Sequence, residues 1–204
     1  FQSGNRDHIE QWGQLYLSRK DLPLQERRSR ATEVWERIII DRPKDPVALS
    51  RLAELLRRAE LTDRVLDLYR KAIDLAPNEP QYREYLGEYL HQRQRPEEAL
   101  AAWKEIAAGD RRTKDNLLRV SEVLQGFGYL EPALDFMREA CKLNPEPGER
   151  LKFAELLRSD GPEHSIEQAL QQLDLAEQSA STSDERQQIL TERIKTLIVA
   201  GQLA

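Results

Sequence analysis

Residues 52–77 read LAELLRRAELTDRVLDLYRKAIDLAP, and this stretch decides the fold. Leu52, Ala53 and Leu56 fall at i, i+1 and i+4, which places them on one face of a first helix. Val65, Tyr69 and Ala72 fall at i, i+4 and i+7, one face of a second. Pro77 closes the second helix, because proline has no backbone donor and disfavours helix in the residue before it. The stretch therefore predicts two helices joined by a short turn, each with one apolar face.

The same pattern recurs along the chain with a period of 34. Small residues stand at Ala31, Val65, Ala99 and Ala133, and large ones at Trp35, Tyr69, Trp103 and Met137. Ile38, Ala72, Ile106 and Ala140 form a third row, and Pro43, Pro77, Arg111 and Pro145 a fourth. Within the preceding helix, Leu52, Leu86 and Val120 align, as do Ala53, Gly87 and Ser121, and then Leu56, Leu90 and Leu124. Small positions let two helices approach, and large ones fill the space between them. One hairpin leaves its apolar face wet until a neighbour covers it, so stability comes from stacking several.

Composition agrees with a folded, non-membrane-spanning helical protein. The 204 residues are 39% hydrophobic and 33% charged, too apolar for a disordered chain. No segment approaches the about 20 apolar residues needed to span a bilayer. The net charge of −5 argues against nucleic acid as a partner. The single cysteine, Cys141, fits a reducing compartment and favours the cytoplasm. Phe1-Gln2-Ser3 has the look of a protease-site tag remnant. The far end, Gly201-Gln202-Leu203-Ala204, stops where other repeats turn into their next helix, so a longer parent chain is expected.

A 34-residue unit with this order of small, aromatic and proline positions resembles the tetratricopeptide repeat (TPR) over nearly the whole chain. HEAT and armadillo units are longer, and the ankyrin signature Thr-Pro-Leu-His is absent. The resemblance implies an all-α, right-handed α-solenoid of stacked antiparallel helix pairs, a single array over residues 4–204. Units are expected at about 5–45, 46–79, 80–113, 114–146 and 147–180, with a partial unit or capping helix at 183–204. The first unit carries Trp12, Leu15 and Tyr16 and a lengthened turn through Asp21-Leu22-Pro23-Leu24. The fifth repeats the second as Phe153-Ala154-Glu155-Leu156-Leu157-Arg158, followed by a lengthened turn at 159–164 and the spacing Ala169, Leu173, Ala176. Thr182-x-x-Glu185 and Ser165-x-x-Gln168 are expected to cap helices.

The family implies a concave groove along the first helices that takes an extended peptide or helix. The once-per-unit rows there are Arg51, Tyr85, Arg119, Lys152; then Glu54, Glu88, Glu122, Glu155; then Arg57, His91, Gln125, Arg158. The family's carboxylate clamp needs Lys and Asn where this chain has Ser50 and Glu54, Glu84 and Glu88, so a clamp for a C-terminal carboxylate is not expected. Two readings of the rows stand. Arg51/Glu54, Arg119/Glu122 and Lys152/Glu155 are i, i+3 pairs that solvate a face, worth about 0.2–0.5 kcal/mol each. Alternatively, the cation row with Tyr85 recognises acidic groups of a partner.

No catalytic motif, cofactor motif or metal-ligand spacing occurs among His8, His91, His164 and Cys141. Cys141 reads as a packed thiol and His91 as surface filler. The expected role is a scaffold for another protein or peptide, without enzymatic activity, cofactor or metal. The alternatives are a docking segment of a larger enzyme or secretion component, and self-association through a terminal helix face at Ile189, Ile194, Leu197 and Ile198.

Overall fold

The computed structural model describes residues 3–160 and 163–201, all of whose regular elements are helical. The expected tag residues Phe1 and Gln2, the turn at Gly161-Pro162 and residues 202–204 lie outside the described residues, as does the His164 side chain. The chain divides into two compact units, Phe1–Ala102 and Trp103–Ala204.

The first unit contains α1 (Ser3–Ser18), α2 (Leu24–Ile40), α3 (Pro46–Arg58), α4 (Val65–Leu75), α5 (Pro80–Gln92) and most of α6 (Pro96–Lys104). The second contains α7 (Lys114–Gly126), α8 (Leu130–Ala140), α9 (Pro147–Asp160), α10 (Glu163–Ser179) and α11 (Ser183–Val199). Consecutive helices pair as α1 with α2, α3 with α4, α7 with α8 and α9 with α10. Each next first helix then packs on the second helix before it, as α3 on α2, α5 on α4, α9 on α8 and α11 on α10. No described helix is long and apolar enough to cross a membrane.

The repeat rows are the core. Trp35, Tyr69, Trp103 and Met137 are all buried, as are Ala31, Val65, Ala99 and Ala133. Trp103 stacks on Phe127 at 4.6 Å between ring centroids, with Tyr129 edge-on at 5.8 Å. Ser121 occupies a small-residue position and satisfies its buried hydroxyl by donating to the Ala133 carbonyl at 2.8 Å.

Helix ends follow the local chemistry. Asp45 caps α3 by accepting from the Val47 and Ala48 amides at 2.9 and 3.3 Å, ahead of Pro46. Thr182 and Glu185 form the expected capping box on α11. Ser165, expected to cap, instead lies buried inside α10, which begins six residues before Ala169. The same early start corrects the first unit. α2 begins at Leu24, seven residues before Ala31, so the extra residues are wound into helix rather than loop. Gln25 to Arg30 are mostly good helix formers, and Pro23 supplies the non-helical entry.

A further periodic row is conformational. Glu60, Gln94 and Gly128 all take positive φ (59°, 59° and 80°) and stand 34 apart. Each ends a first helix in the same way. The Leu61, Arg95 and Tyr129 amides donate to Leu56, Leu90 and Leu124 carbonyls at 2.9–3.0 Å, a Schellman closure. Where the proline row has Arg111, α6 stops at Lys104 and passes through two 3₁₀ turns, with Gly109 at φ 56°. Arg111 donates to the Glu105 carbonyl at 2.9 Å and so satisfies a helix-end acceptor there.

Candidate functional site

In the first unit the candidate residues lie on α3 and α5. Arg51 does not close on Glu54, as i, i+3 pairing would have it. Its guanidinium forks onto Glu10 of α1, with Nε donating to Oε1 at 2.5 Å, and this hydrogen bond raises its pKa. Arg57 reaches the other way. It donates to both Glu54 oxygens at 2.8 and 2.9 Å and, across to α5, to Glu88 at 3.2 Å and Gln92 at 2.8 Å. Glu54 also accepts from Arg58 at 2.7 Å and from the buried Tyr69 hydroxyl at 3.2 Å. Burial works to raise the Glu54 pKa, but the arginine hydrogen bonds outweigh it and hold the carboxyl below its usual value. Burial, followed by the Glu54 charge, pushes the Tyr69 phenol up. Tyr85 lies 6.2 Å from the Tyr69 ring, its hydroxyl meets Gln81, and His91 is half-buried on α5. Val47, Ser50, Arg51, Glu54, Tyr82 and Tyr85 line a cavity of about 430 Å³ between the two helices.

The second unit repeats this plan. Lys152 of α9 donates back to Glu122 of α7 at 2.5 Å rather than pairing with Glu155. Arg158 reaches forward to Glu192 of α11 at 2.7 Å, where Lys195 also contributes at 3.2 Å. Glu192 is only 1% exposed, so these two cations offset its desolvation. Arg119 is half-buried on α7. A second cavity, of about 650 Å³, lies between α9 and α11 and is lined by Gly148, Leu151, Lys152 and Glu155 among others. These four stand 101 residues beyond Val47, Ser50, Arg51 and Glu54, as Arg158 stands 101 beyond Arg57.

The structure thus pairs the outer cations Arg51 and Lys152 with the preceding first helix, and the inner cations Arg57 and Arg158 with the following one. Glu10, Gln92 and Glu192 belong to this network and were not singled out from sequence. Their partners are 41, 35 and 34 residues away, beyond the reach of an i, i+3 rule. Among the described residues no three His, Cys, Asp or Glu side chains gather as a metal site requires. Cys141 is a free thiol whose pKa burial pushes up to about 11, which suppresses the thiolate.

No family model and no curated protein sequence matches the chain. Solved structures are similar to it at low identity. YrrB, a TPR protein with an unusual peptide-binding site, is 18% identical over 84% of this chain and 86% of its own, with a TM-score of 0.49. PilF of Pseudomonas aeruginosa is 21% identical over 98% of this chain and 86% of its own, with a TM-score of 0.48. TTC0263, a thermophilic TPR protein of Thermus thermophilus, is 23% identical over 96% of this chain and 98% of its own, with a TM-score of 0.44. By its own 34-residue rows and its successive helix pairs, this chain has the tetratricopeptide-repeat fold.

Proposed function

We propose that this chain is a protein–protein interaction scaffold that takes a peptide or helix of a partner along the exposed faces of its first helices. The observation that carries the reading is the cavity built twice, between α3 and α5 and between α9 and α11, from residues in the same repeat register. Each unit offers its own contact set: Arg51, Arg57, Tyr85, Glu88 and His91 in the first, and Arg119, Glu122, Lys152 and Arg158 in the second. Arg and Tyr are the residue types that most often dominate binding energy, because they combine planar hydrogen bonding with low entropic cost. The cavity walls are mixed in charge, which suits a polar peptide better than an apolar small molecule.

The test is capture of the partner on immobilised protein, identified by mass spectrometry, with Arg51→Ala, Tyr85→Ala and Arg119→Ala combined as the comparison. Loss of that partner with an unchanged helical circular dichroism signal supports binding at these faces. Equal capture by both proteins moves the site elsewhere.

A further inference from the structure

Trp12 and Leu15 of α1 are each 58% exposed, which is unusual for two large apolar residues on one helix face. Their register explains them. Gly13 faces the second helix of its own hairpin, since a Cβ there would stand 2.0 Å from Trp35. It therefore corresponds to Ala53, Gly87 and Ala154. Trp12 precedes it by one, the position of Leu52, Leu86, Phe153 and Ile189. Leu15 follows it by two, the position of Leu55, Tyr89, Leu156 and Glu192. In α3, α5, α9 and α11 every one of these residues is buried or half-buried, and each of these helices packs on the second helix of the preceding hairpin. One such contact is Tyr69 of α4 against Tyr89 of α5, at 6.3 Å between rings.

From this continuity with the internal interfaces, we propose that the Trp12/Leu15 face of α1 is a docking surface for a partner helix pair of the same repeat chemistry. The helix seated on it carries apolar residues at i, i+4 and i+7, as Ala31, Trp35 and Ile38 do in α2 and Val65, Tyr69 and Ala72 do in α4. The face does not depend on the cavities proposed above to bind peptide.

The chain contains its own reporter. Of its three tryptophans, Trp35 and Trp103 are buried, so acrylamide quenching reads Trp12. The probe is a second copy of residues 46–79, which holds no tryptophan, joined to Arg6 so that the interval from residue 79 to Gly87 in the native chain is roughly kept. The expected result is loss of the quenchable component, leaving the level set by the Trp12→Phe chain, with quenching restored by Leu15→Lys in the same fusion. Leu15 is exposed, so that substitution leaves the remaining hairpins intact. Trp12 remaining as quenchable in the fusion as in the unmodified chain overturns the proposal. So does loss of quenching in the unmodified chain as its concentration rises, which would assign the face to a second copy.

Discussion

Gly13→Ala sets two effects of opposite sign against each other. In a helix interior without steric constraint, alanine is favoured over glycine by about 1 kcal/mol. Here the added Cβ would meet Trp35 at 2.0 Å from Nε1, 2.3 Å from Cε2 and 2.5 Å from Cδ1. Ordinary carbon contact lies near 3.5–4.0 Å, so α1 and α2 must separate by about 1.5 Å. The ring cannot swing aside freely. It is 1% exposed, and its Nε1 donates to the Glu10 carbonyl at 3.1 Å. Overpacking costs about 1–3 kcal/mol, and losing the hydrogen bond about 1 more. With the propensity gain subtracted, a net loss of about 1–3 kcal/mol remains. The assay is urea unfolding together with amide exchange. In a stacked array the loss is local, so protection falls in α1 and α2 while α9–α11 are unchanged. Gly126→Ala is the control, because a Cβ there meets nothing within 4 Å and stability should rise slightly. A midpoint for Gly13→Ala that rises as the control does would refute the close approach of α1 to Trp35.

Other outcomes follow from the same structure. Gln94 takes φ 59° where the next hairpin has Gly128 at φ 80°, so Gln94→Gly should stabilise by about 1 kcal/mol. For a chain of this size that is about 2–4 °C in a thermal melt, and Gly128→Ala should cost a similar amount. Cys141, with its pKa raised by burial from 9.0 to about 11, should hold about 100-fold less thiolate at pH 8 than an ordinary cysteine. Its labelling by a disulfide reagent should rise about tenfold per pH unit until near pH 11; a plateau near pH 9 would contradict that burial. Arg158→Met strands the buried Glu192 with Lys195 alone and should cost about 2 kcal/mol in chemical denaturation, part of which Glu192→Leu restores in the double variant.

The hairpins were legible because each helix face is written locally, in spacings that need no knowledge of a partner. Ala53, Tyr69 and Leu124 declare their faces within one or two turns of chain. What escaped the sequence depends on contacts outside that window. The Schellman row is one example: Glu60 and Gln94 are not residues that ask for positive φ, and only Gly128 hints at it. Gly13 is another, since its need for hydrogen is fixed by Trp35, 22 residues away. The added turns of α2 and α10 escaped because a polar helix that outruns its apolar rows looks like a loop. At α11 the rows themselves change. Leu190 stands exposed at the small-residue place, and Arg193 takes the leucine place and folds back onto Asp174 and Glu177 at 2.6 and 2.8 Å.

The direction in which each cation pairs sorts the candidate residues by what a partner can take from them. Lys152 is 57% exposed and its partner Glu122 50%, while Arg51 is 46% exposed and its partner Glu10 18%; each cation pairs with a carboxylate of the preceding first helix. A pair as open as Lys152–Glu122 contributes about 0–1 kcal/mol, so an incoming carboxylate can replace Glu122 with little net loss, whereas replacing the more enclosed Glu10 costs more. Arg57 is 18% exposed and Arg158 24%; Arg57 joins Glu54 of its own helix, 16% exposed, to Glu88 of α5, 36% exposed, and Arg158 holds Glu192 of α11, 2% exposed. Opening those would leave a desolvated charge, a cost no peptide contact at a wet surface readily offsets. The repeat therefore separates two tasks in adjacent turns of one helix. The inner cation fastens a hairpin to the one that follows, and the outer cation remains exchangeable. Partner affinity should consequently respond to Lys152 and Arg51, and array stability to Arg57 and Arg158, although all four are basic residues of the same two helices, α3 and α9.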